Sequence, residues 1–326
     1  MYKVFIDGAE GTTGLKIHEY FQRRDDIELI HIDETKRKIL EERLACVKKA
    51  DVSFLCLPDG AARELASEAP ADCRILDTST AHRTDESWVY GMPELLPGQR
   101  EKIRNSNRVA VPGCHATGVI LLIKPLLEAG VISPDYPFSA TSITGYSGGG
   151  KKMIARYESE DRIKDRQGPK DARSQEKQDP LKSPRQYGIT QSHKHLPEIM
   201  AATGIGSPPA FMPVVADYYS GMEVTIPIKG SMMKGIGGSP REAALKILKE
   251  RYADQSLVKV VEEMDESGFI AANRLAGTNR LEISVSGSDE NILLMATYDN
   301  LGKGASGAAI QNMNIMLGIE ETKGLI

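Results

Sequence analysis

The sequence predicts an α/β protein in which a doubly wound nucleotide-binding (Rossmann) domain precedes an α+β domain built on a mixed sheet. In the first third of the chain, short apolar β-rich runs alternate with helix-like stretches, which is the pattern of a parallel sheet with crossover helices. In the remainder, strand patterns follow one another with fewer helices between them. The 326 residues are also enough for about two domains.

The elements of the first domain are predicted from the change between strand-like and helical spacing of apolar residues. Crossovers between parallel strands are right-handed, which favours a doubly wound arrangement. The predicted strands are residues 2–6, 27–32, 52–57, 74–76 and 108–111. The predicted helices are residues 13–23, 36–49, 60–69 and 94–104.

The second domain is predicted to begin with an apolar helix that Gly130 closes. Further on, Ser239, Pro240 and Glu242 form a capping box with proline at the first helical position, so a helix begins at residue 241. The polar, irregular residues 158–186 predict a long surface excursion. The predicted strands are residues 139–146, 211–216, 222–228, 281–286 and 292–298, and the predicted helices are residues 117–128, 241–252 and 305–317.

The change in pattern predicts a domain boundary near residue 113. We assign residues 1–113 to the nucleotide-binding domain and residues 114–298 to the second domain. The last segment, residues 299–326, contains an apolar helix, and we expect this helix to return to the first domain and complete it.

Composition excludes several classes of protein. The 41 Lys and Arg against 45 Asp and Glu give a net charge of −4, which is unlike a nucleic-acid-binding surface. No apolar run approaches the roughly 18 residues of a membrane helix, and the chain starts directly in a strand pattern, so we expect neither a membrane span nor a signal peptide. The four cysteines contain no CxxC pair, which argues against a disulfide framework or a zinc site and favours the cytoplasm.

A glycine-rich turn follows the first predicted strand and opens a helix. Gly8, Gly11 and Gly14 are spaced GxxGxxG rather than the usual GxGxxG. Such glycines let the backbone turn tightly and approach a pyrophosphate, which the N–H groups at the helix start then face. We predict that these glycines bind a nucleotide cofactor together with Thr12 and Thr13, although an ordinary strand–turn–helix would also explain the pattern.

The end of the second predicted strand bears on the choice between NAD and NADP. An acid at this point, here Asp33, normally bonds the ribose hydroxyl of NAD. Lys36 and Arg37 follow closely and could instead hold the 2′-phosphate of NADP. A solvated turn is an equally good explanation of each, so the residues leave the cofactor undecided.

Cys114 follows Pro-Gly and stands at the start of the apolar helix, where its sulfur is presented at a turn. The positive end of a helix lowers a thiol pKa, and neighbouring backbone N–H groups can donate to an oxyanion. We therefore predict a nucleophile here. A buried structural cysteine is the alternative, and it is the interpretation we give Cys46, Cys56 and Cys73.

A second candidate group is His193, His195 and Glu198, within the six-residue segment HKHLPE. If this segment is extended, both imidazoles point the same way, and one of them could take the thiol proton while Glu198 orients it. Two surface or core histidines are the alternative. A metal site is a rival use, but the sequence offers no third ligand cluster, so we predict no metal.

Two glycine-rich segments, residues 144–152 and 300–307, expose backbone amides next to lysines at helix starts. Both suit an anionic ligand or the nicotinamide end of a cofactor. The second could close over the cofactor from the other domain. A flexible linker is the alternative for the first.

Taken together, these segments resemble the N-acetyl-gamma-glutamyl-phosphate reductase family, in its shorter second type. The resemblance covers essentially the whole chain, and a PGC turn before an apolar helix combined with HxHxPE is specific. The wider superfamily includes aspartate-semialdehyde dehydrogenase, and its second domain resembles the C-terminal domain of glyceraldehyde-3-phosphate dehydrogenase. The matching segments, in family order, are residues 8–14, 78–83, 112–118, 146–150, 193–198 and 299–307.

The resemblance implies an NADPH-dependent reduction of N-acetyl-glutamyl 5-phosphate in arginine biosynthesis. Cys114 would expel phosphate and form a thioester, and hydride transfer would yield the semialdehyde. His195 would be the acid/base, with His193 and Glu198 in the same motif. The resemblance further implies a homo-oligomer, dimer or tetramer, whose second domain is the catalytic and dimerisation domain. It places Arg83 and Tyr187 at the substrate and adds four cofactor residues, Ser79, Ser147, Gly148 and Asn300.

The chain departs from the family pattern beside the nucleophile, where Val111 replaces a usual asparagine and His115 a frequent tyrosine. The extra imidazole leaves the identity of the base open among three histidines. Two other functions also remain open: aspartate-semialdehyde dehydrogenase, and a non-catalytic NADP-binding regulator.

Overall fold

Six parallel strands form the first sheet, in the order β2-β1-β3-β4-β6-β5. The computed structural model describes residues 1–160, 162, 179–262 and 268–326. The strands are β1 (Tyr2–Asp7), β2 (Ile27–Ile30), β3 (Val52–Leu55), β4 (Ile75–Asp77), β5 (Val89–Tyr90) and β6 (Arg108–Ala110). The helices of this part are α1 (Thr12–Phe21), α2 (Leu40–Lys49), α3 (Asp59–Glu68) and α4 (Gln99–Arg104).

This sheet is buried on both faces. Every residue of β3 is buried, as expected for a central strand of a parallel sheet covered by helices. One apolar cluster joins Val4 and Phe54 to α1, and another joins Phe5 and Leu55 to α2 and α3. The arrangement confirms the predicted doubly wound nucleotide-binding fold.

The second sheet has seven strands and is mixed, in the order β11-β12-β13-β10-β7-β9-β8. Its helices are α5 (Cys114–Glu128), α6 (Gly150–Tyr157), α7 (Leu196–Thr203) and α8 (Pro240–Tyr252). Helices α5 and α8 pack on one face of the sheet, and α7 packs on α5. Ser239 caps α8 as predicted, since its Oγ accepts a hydrogen bond from the Glu242 amide at 3.1 Å. The strands are β7 (Ser139–Gly145), β8 (Arg185–Gln186), β9 (Ala210–Ala216), β10 (Met222–Lys229), β11 (Val258–Val260), β12 (Leu281–Gly287) and β13 (Asn291–Tyr298).

Several elements differ from the prediction. The helix expected over residues 94–104 is only α4, because Gly98 has a φ of 78° and starts the helix after Pro97. The helix expected over 36–49 begins at Leu40, because Asp33 forms a turn by accepting hydrogen bonds from Thr35. Strands β5, β8 and β11 were not predicted, because they are too short to show an alternation of apolar and polar residues. Of the predicted surface excursion over 158–186, residues 161 and 163–178 lie outside the described residues.

Helix α5 begins at Cys114, three residues earlier than its apolar pattern indicates. A fully buried tyrosine of the second sheet anchors its first turn: Tyr298 Oη donates to the Cys114 carbonyl at 2.6 Å and accepts from the Gly118 amide at 3.1 Å. A Cβ at position 118 would lie 2.7 Å from that hydroxyl. The thiol-bearing turn is therefore fixed to the sheet below it.

The chain ends with a π-helical turn (Gly302–Ser306) that runs into α9 (Gly307–Leu317). The apolar residues of α9 belong to the same cluster as Val4 and Phe54, so this helix packs against the first sheet. A Cβ at Gly304 would lie 3.0 Å from the Cys114 Cβ. The π-helical turn thus lies directly against the nucleophile candidate.

A buried ion pair holds that turn. Lys303 Nζ donates to Glu94 at 2.8 Å and to Gln311 at 2.5 Å, and Lys303 is 2% exposed. Removing one partner of a buried pair leaves an uncompensated charge and costs about 3–5 kcal/mol. We expect Lys303→Met to lower the urea unfolding free energy by about this amount, and adding Glu94→Gln to recover part of it. The control is Lys16→Met, which removes a partly exposed ion pair and should cost less than about 1 kcal/mol. A loss that small for Lys303→Met would contradict a structural role for the buried pair.

Within the described ranges, no helix is both long and apolar enough to cross a membrane.

Candidate active site

A cavity of about 600 Å³ opens at the carboxyl ends of β1, β3, β4 and β6. Ligands of doubly wound proteins bind at this edge, because the strand ends leave a crevice there. Residues from the second sheet form the opposite wall. The predicted site residues that line the cavity are Gly11, Thr12, Thr13, Ser79, Arg83, Cys114, Ser147, Gly148, Tyr187, His193, His195 and Asn300.

Cys114 is the first residue of α5, with extended Gly113 as its N-cap. Contrary to the expected lowering, the pKa of its thiol is raised above the ordinary value, chiefly because burial disfavours the thiolate. The charge of Arg83 and a hydrogen bond from the His115 amide oppose this rise without overcoming it. The free thiol is therefore protonated near neutral pH, and a nucleophilic role requires a base.

His115 is excluded as that base by its hydrogen bonds. Its Nδ1 pairs with Ser142 Oγ and its Nε2 with Tyr187 Oη, both at 2.6 Å. Burial, together with the neighbouring His193 and Lys194, lowers the pKa of His115 to about 3. The imidazole beside the nucleophile is a buried bridge that holds Tyr187 at the cavity wall.

His193 and His195 lie close together, with ring centroids 4.8 Å apart. They do so in a turn rather than in the expected extended segment: the His195 amide donates to His193 Nδ1 at 3.3 Å, and His195 is the N-cap of α7. His195 is 3% exposed, and its Nδ1 has no hydrogen-bond partner in the described part of the chain. Burial, with the positive charge of Arg83, keeps its pKa well below the ordinary value, so the imidazole is neutral and able to accept a proton.

The sequence suggested that Glu198 orients a histidine, but the structure shows other contacts for its carboxylate. One of its oxygens accepts from the Gly113 amide at 2.7 Å and from Tyr90 Oη at 2.6 Å. The other accepts from Arg83 at 3.0 Å. Glu198 is buried beneath the cavity, where it fixes the turn before Cys114 and the guanidinium beside it. Glu198 is therefore a positioning residue. Tyr90 helps to hold its carboxylate, and Tyr90 lies on strand β5, which the sequence did not predict.

Gly113 is the point where these groups converge. A Cβ there would lie 2.4 Å from both Arg83 Nη1 and His195 Nε2. The base candidate is therefore in contact with the residue that immediately precedes the thiol. No larger residue fits without displacing the imidazole or the guanidinium.

We expect Gly113→Ala to lower kcat/KM by about 10²-fold, because displacing a catalytic group by about 1 Å has that effect. Steady-state kinetics measures the loss, with thermal unfolding as a check on folding. The matched control is Gly60→Ala, since Gly60 is helical and a Cβ there meets nothing within 4 Å. Equal kinetics for the two variants would contradict the packing of His195 on this turn.

A second cavity, of about 440 Å³, adjoins the first and shares Gly11, Cys56, Leu57 and Pro58 with it. Gly8 lines this second cavity with a φ of 85°, so the turn requires glycine. Gly14 lines neither cavity; a Cβ there would lie 2.5 Å from the Gly8 carbonyl, so it allows α1 to pack on the turn. Two adjoining chambers on either side of a helix N-terminus fit an extended dinucleotide.

The cations at the second cavity differ from those predicted. Arg37 lines it and is ion-paired with Glu10. Lys36 lines neither cavity and is instead exposed and paired with Glu42 at 2.8 Å, because the turn that starts at Asp33 directs it away. Lys38, which the sequence analysis did not single out, lines the cavity. Cys56, which we interpret from the sequence as a structural core cysteine, also lines both cavities. Burial raises the pKa of its thiol to about 12.

The remaining cofactor candidates are held by buried hydrogen bonds. Asn300 donates to Ser147 Oγ at 3.0 Å and accepts from the Gly221 amide at 2.9 Å. Ser79 Oγ donates to Asp77 at 2.8 Å. Gly148 lies beside Asn300, where a Cβ would come within 3.5 Å of its amide. The glycine-rich segment after β7 and the last segment of the chain therefore form one wall.

Comparison with known proteins extends over the whole chain. Residues 3–106 match the semialdehyde dehydrogenase NAD-binding domain, and residues 114–300 match the semialdehyde dehydrogenase dimerisation domain. The N-acetyl-gamma-glutamyl-phosphate reductase 2 of Nostoc sp. is 41% identical over 99% of each chain. The N-acetyl-gamma-glutamyl-phosphate reductase of Brucella anthropi is 41% identical over 97% of this chain and 98% of its own.

Among solved structures, aspartate semialdehyde dehydrogenase II of Vibrio cholerae, in complex with ASA, is similar with a TM-score of 0.68 and 16% identity over 98% of each chain. The aspartate semialdehyde dehydrogenase of Francisella tularensis is similar with a TM-score of 0.70 and 14% identity, over 97% of this chain and 100% of that one. At these identities the similarity establishes a shared fold.

Proposed function

The chain belongs to the N-acetyl-gamma-glutamyl-phosphate reductase family, and from this premise we propose that Cys114 is the nucleophile of its reaction. The protein reduces N-acetyl-glutamyl 5-phosphate to N-acetyl-glutamate 5-semialdehyde with NADPH and releases phosphate, a step of arginine biosynthesis. One observation carries the assignment of the nucleophile. The Cys114 thiol, at the N-terminus of α5, lines the same cavity as His195 and the glycine turn.

In the first step Cys114 and His195 act as a neutral thiol and a neutral imidazole. As Sγ bonds to the acyl carbon, His195 takes the thiol proton, and the bond from that carbon to the phosphate oxygen breaks. The first N–H groups of α5 have no intrahelical acceptors and stabilise the oxyanion. Phosphate leaves, and a thioester remains on Cys114.

When bound in the adjoining chambers, NADPH would supply the hydride that reduces this thioester. The resulting thiohemiacetal alkoxide is held by the same amides. It collapses as the C–S bond breaks, the aldehyde leaves, and His195 returns its proton to Sγ. His193 supports this cycle by accepting the His195 backbone N–H, and Glu198 supports it by holding Gly113 and Arg83. Arg83 and Tyr187 contact the substrate from the cavity wall.

We assign NADP to the two adjoining chambers. Gly8, Gly11, Thr12 and Thr13 bind the pyrophosphate at the start of α1, with Gly14 as the packing contact beneath. Ser79, Ser147, Gly148 and Asn300 bind the nicotinamide half. Arg37 and Lys38 bind the 2′-phosphate of NADP.

We further propose the domain division 1–113 with 299–326 against 114–298, which the packing of α9 on the first sheet supports. The match of residues 114–300 to a dimerisation domain supports a homo-oligomer, dimer or tetramer. Free cysteines support a cytoplasmic location.

The test is the reverse reaction, followed by nicotinamide absorbance. Wild-type protein with N-acetyl-glutamate 5-semialdehyde, phosphate and NADP should form NADPH continuously. Omitting phosphate should limit the signal to about one NADPH per active site, because the thioester is then not released. Aspartate semialdehyde, and NAD in place of NADP, are the comparison reactions. Preferential turnover of aspartate semialdehyde would favour a dehydrogenase of that substrate. NADPH binding without any turnover would favour a non-catalytic regulator.

A further inference from the structure

The charged side chains at the catalytic cavity are few. Among the described residues that line it, only Asp59, Arg83 and Lys194 carry a charge at neutral pH. An acyl phosphate with a carboxylate brings several negative charges into this space. Binding them requires a cation that is not already neutralised.

Arg83 is largely committed to the protein. Three of its five N–H groups donate to the Val111 carbonyl at 2.9 Å, the Thr78 carbonyl at 2.9 Å and Glu198 at 3.0 Å. Glu198 is 1% exposed and forms an ion pair with the guanidinium. Arg83 therefore keeps two N–H groups for a ligand, and its charge, although it still acts on Cys114 and His195, is shared with a buried carboxylate.

Lys194 is in the opposite state. It is exposed at the cavity wall, and in the described part of the chain its ammonium has no ion-pair or hydrogen-bond partner. The charge of Lys194 acts on Asp59, but that carboxylate already accepts hydrogen bonds from the Thr80 amide at 3.1 Å and from Thr80 Oγ1 at 2.5 Å. Among the described residues, Lys194 is thus a positive charge with no ion-pair partner.

The position of Lys194 selects one end of the substrate. It lies between His193 and His195 in the chain, and it lines the same cavity as both imidazoles and the Cys114 thiol. The group nearest the sulfur in an attacking geometry is the one bonded to the acyl carbon, which is the phosphate. The substrate carboxylate lies several bonds further away.

We propose that Lys194 binds the phosphate group of the acyl-phosphate substrate, and inorganic phosphate in the reverse direction, as the specificity-determining cation of the site. This inference rests on the proposed function. The ammonium holds the phosphate beside Cys114 and balances the negative charge that develops on the phosphate as the C–O bond breaks. Because Lys194 is exposed, the released phosphate can leave the site along it.

The first test measures the reverse reaction of Lys194→Gln. A charge-assisted contact of this kind corresponds to about a tenfold or larger rise in the KM for phosphate. The KM values for NADP and for the semialdehyde should stay within about twofold of wild type, because the lysine contacts neither. Lys194→Arg should restore most of the phosphate affinity. Lys246→Gln, which removes an exposed lysine on α8, controls for net charge.

The second test needs no turnover. At pH 8.5, alkylation of Cys114 by iodoacetamide, followed by mass spectrometry of its peptide, should be slowed by inorganic phosphate in wild type and Lys246→Gln but not in Lys194→Gln. An unchanged phosphate KM with a raised semialdehyde KM would make Lys194 a carboxylate anchor and overturn the proposal, as would equal protection in all three proteins. Failure of the proposed function is distinguishable, because wild type would then show no reverse turnover.

Discussion

Cys114→Ser is expected to lower reductase turnover by at least about 10³-fold, because the serine hydroxyl is a far weaker nucleophile toward an acyl phosphate and a poorer leaving group from the intermediate. The substitution removes no packing volume of note at the turn that Tyr298 and Glu198 hold. The melting temperature and NADPH binding should therefore match the wild type. The loss should appear in kcat with a smaller change in KM.

Two measurements make this result specific. Cys73→Ser is the same chemical change at a cysteine that lines neither cavity, and it should retain full activity. Rapid mixing of wild type with substrate in the absence of NADPH should release about one phosphate per active site, and Cys114→Ser should release none. Turnover of Cys114→Ser within a few-fold of wild type would eliminate the thioester mechanism.

The second large effect is expected at His195. His195→Gln should lower kcat by about 10²–10⁴-fold, since the variant has no group that accepts the thiol proton. The pKa of His195 lies well below its ordinary value, because burial and Arg83 disfavour the imidazolium. The active form is neutral, so wild-type activity is complete above this pKa and declines only as the pH falls well below 6.5.

The residual activity of His195→Gln should lack that acidic limb, and it should rise with pH as hydroxide replaces the imidazole. His193→Gln is the discriminating comparison, because the ring of His193 is 4.8 Å away and its Nδ1 is already occupied by the His195 amide. We expect a loss about ten times smaller there. If His193→Gln instead loses more activity than His195→Gln, and if its pH profile lacks the acidic limb, then His193 is the base and His195 is the supporting residue.

The difference between Lys36 and Lys194 shows where prediction from the sequence ends. Both are lysines next to a recognised motif. Because of the turn around Asp33, Lys36 points towards Glu42, and its Nζ donates a hydrogen bond to Glu42 Oε1 at 2.8 Å. Lys194 has no such partner within the described ranges, and it lies at the catalytic cavity. Nothing in the local pattern distinguishes the two, because the distinction depends on which charges the folded chain brings near each of them.

Glu198 illustrates the same limit for a carboxylate. Its spacing from His193 and His195 suggested an orienting partner, yet its contacts are Gly113, Tyr90 and Arg83, which lie 85 to 115 residues away in the chain. The unpredicted strand β5 brings Tyr90 there. A positioning role for Glu198 could not be separated from a direct one before those contacts were known.

The sequence alone established the doubly wound fold, the glycine turn after the first strand and the Pro-Gly-Cys turn at the start of a helix, because each depends on residues within a few positions of one another. Tertiary structure decided the direction of the Cys114 pKa shift, the exclusion of His115 as the base and the lack of an ion-pair partner for Lys194 in the described part of the chain. These properties are sums over groups from distant segments, and burial, the largest contribution to both pKa shifts, exists only after the two sheets and their helices have packed.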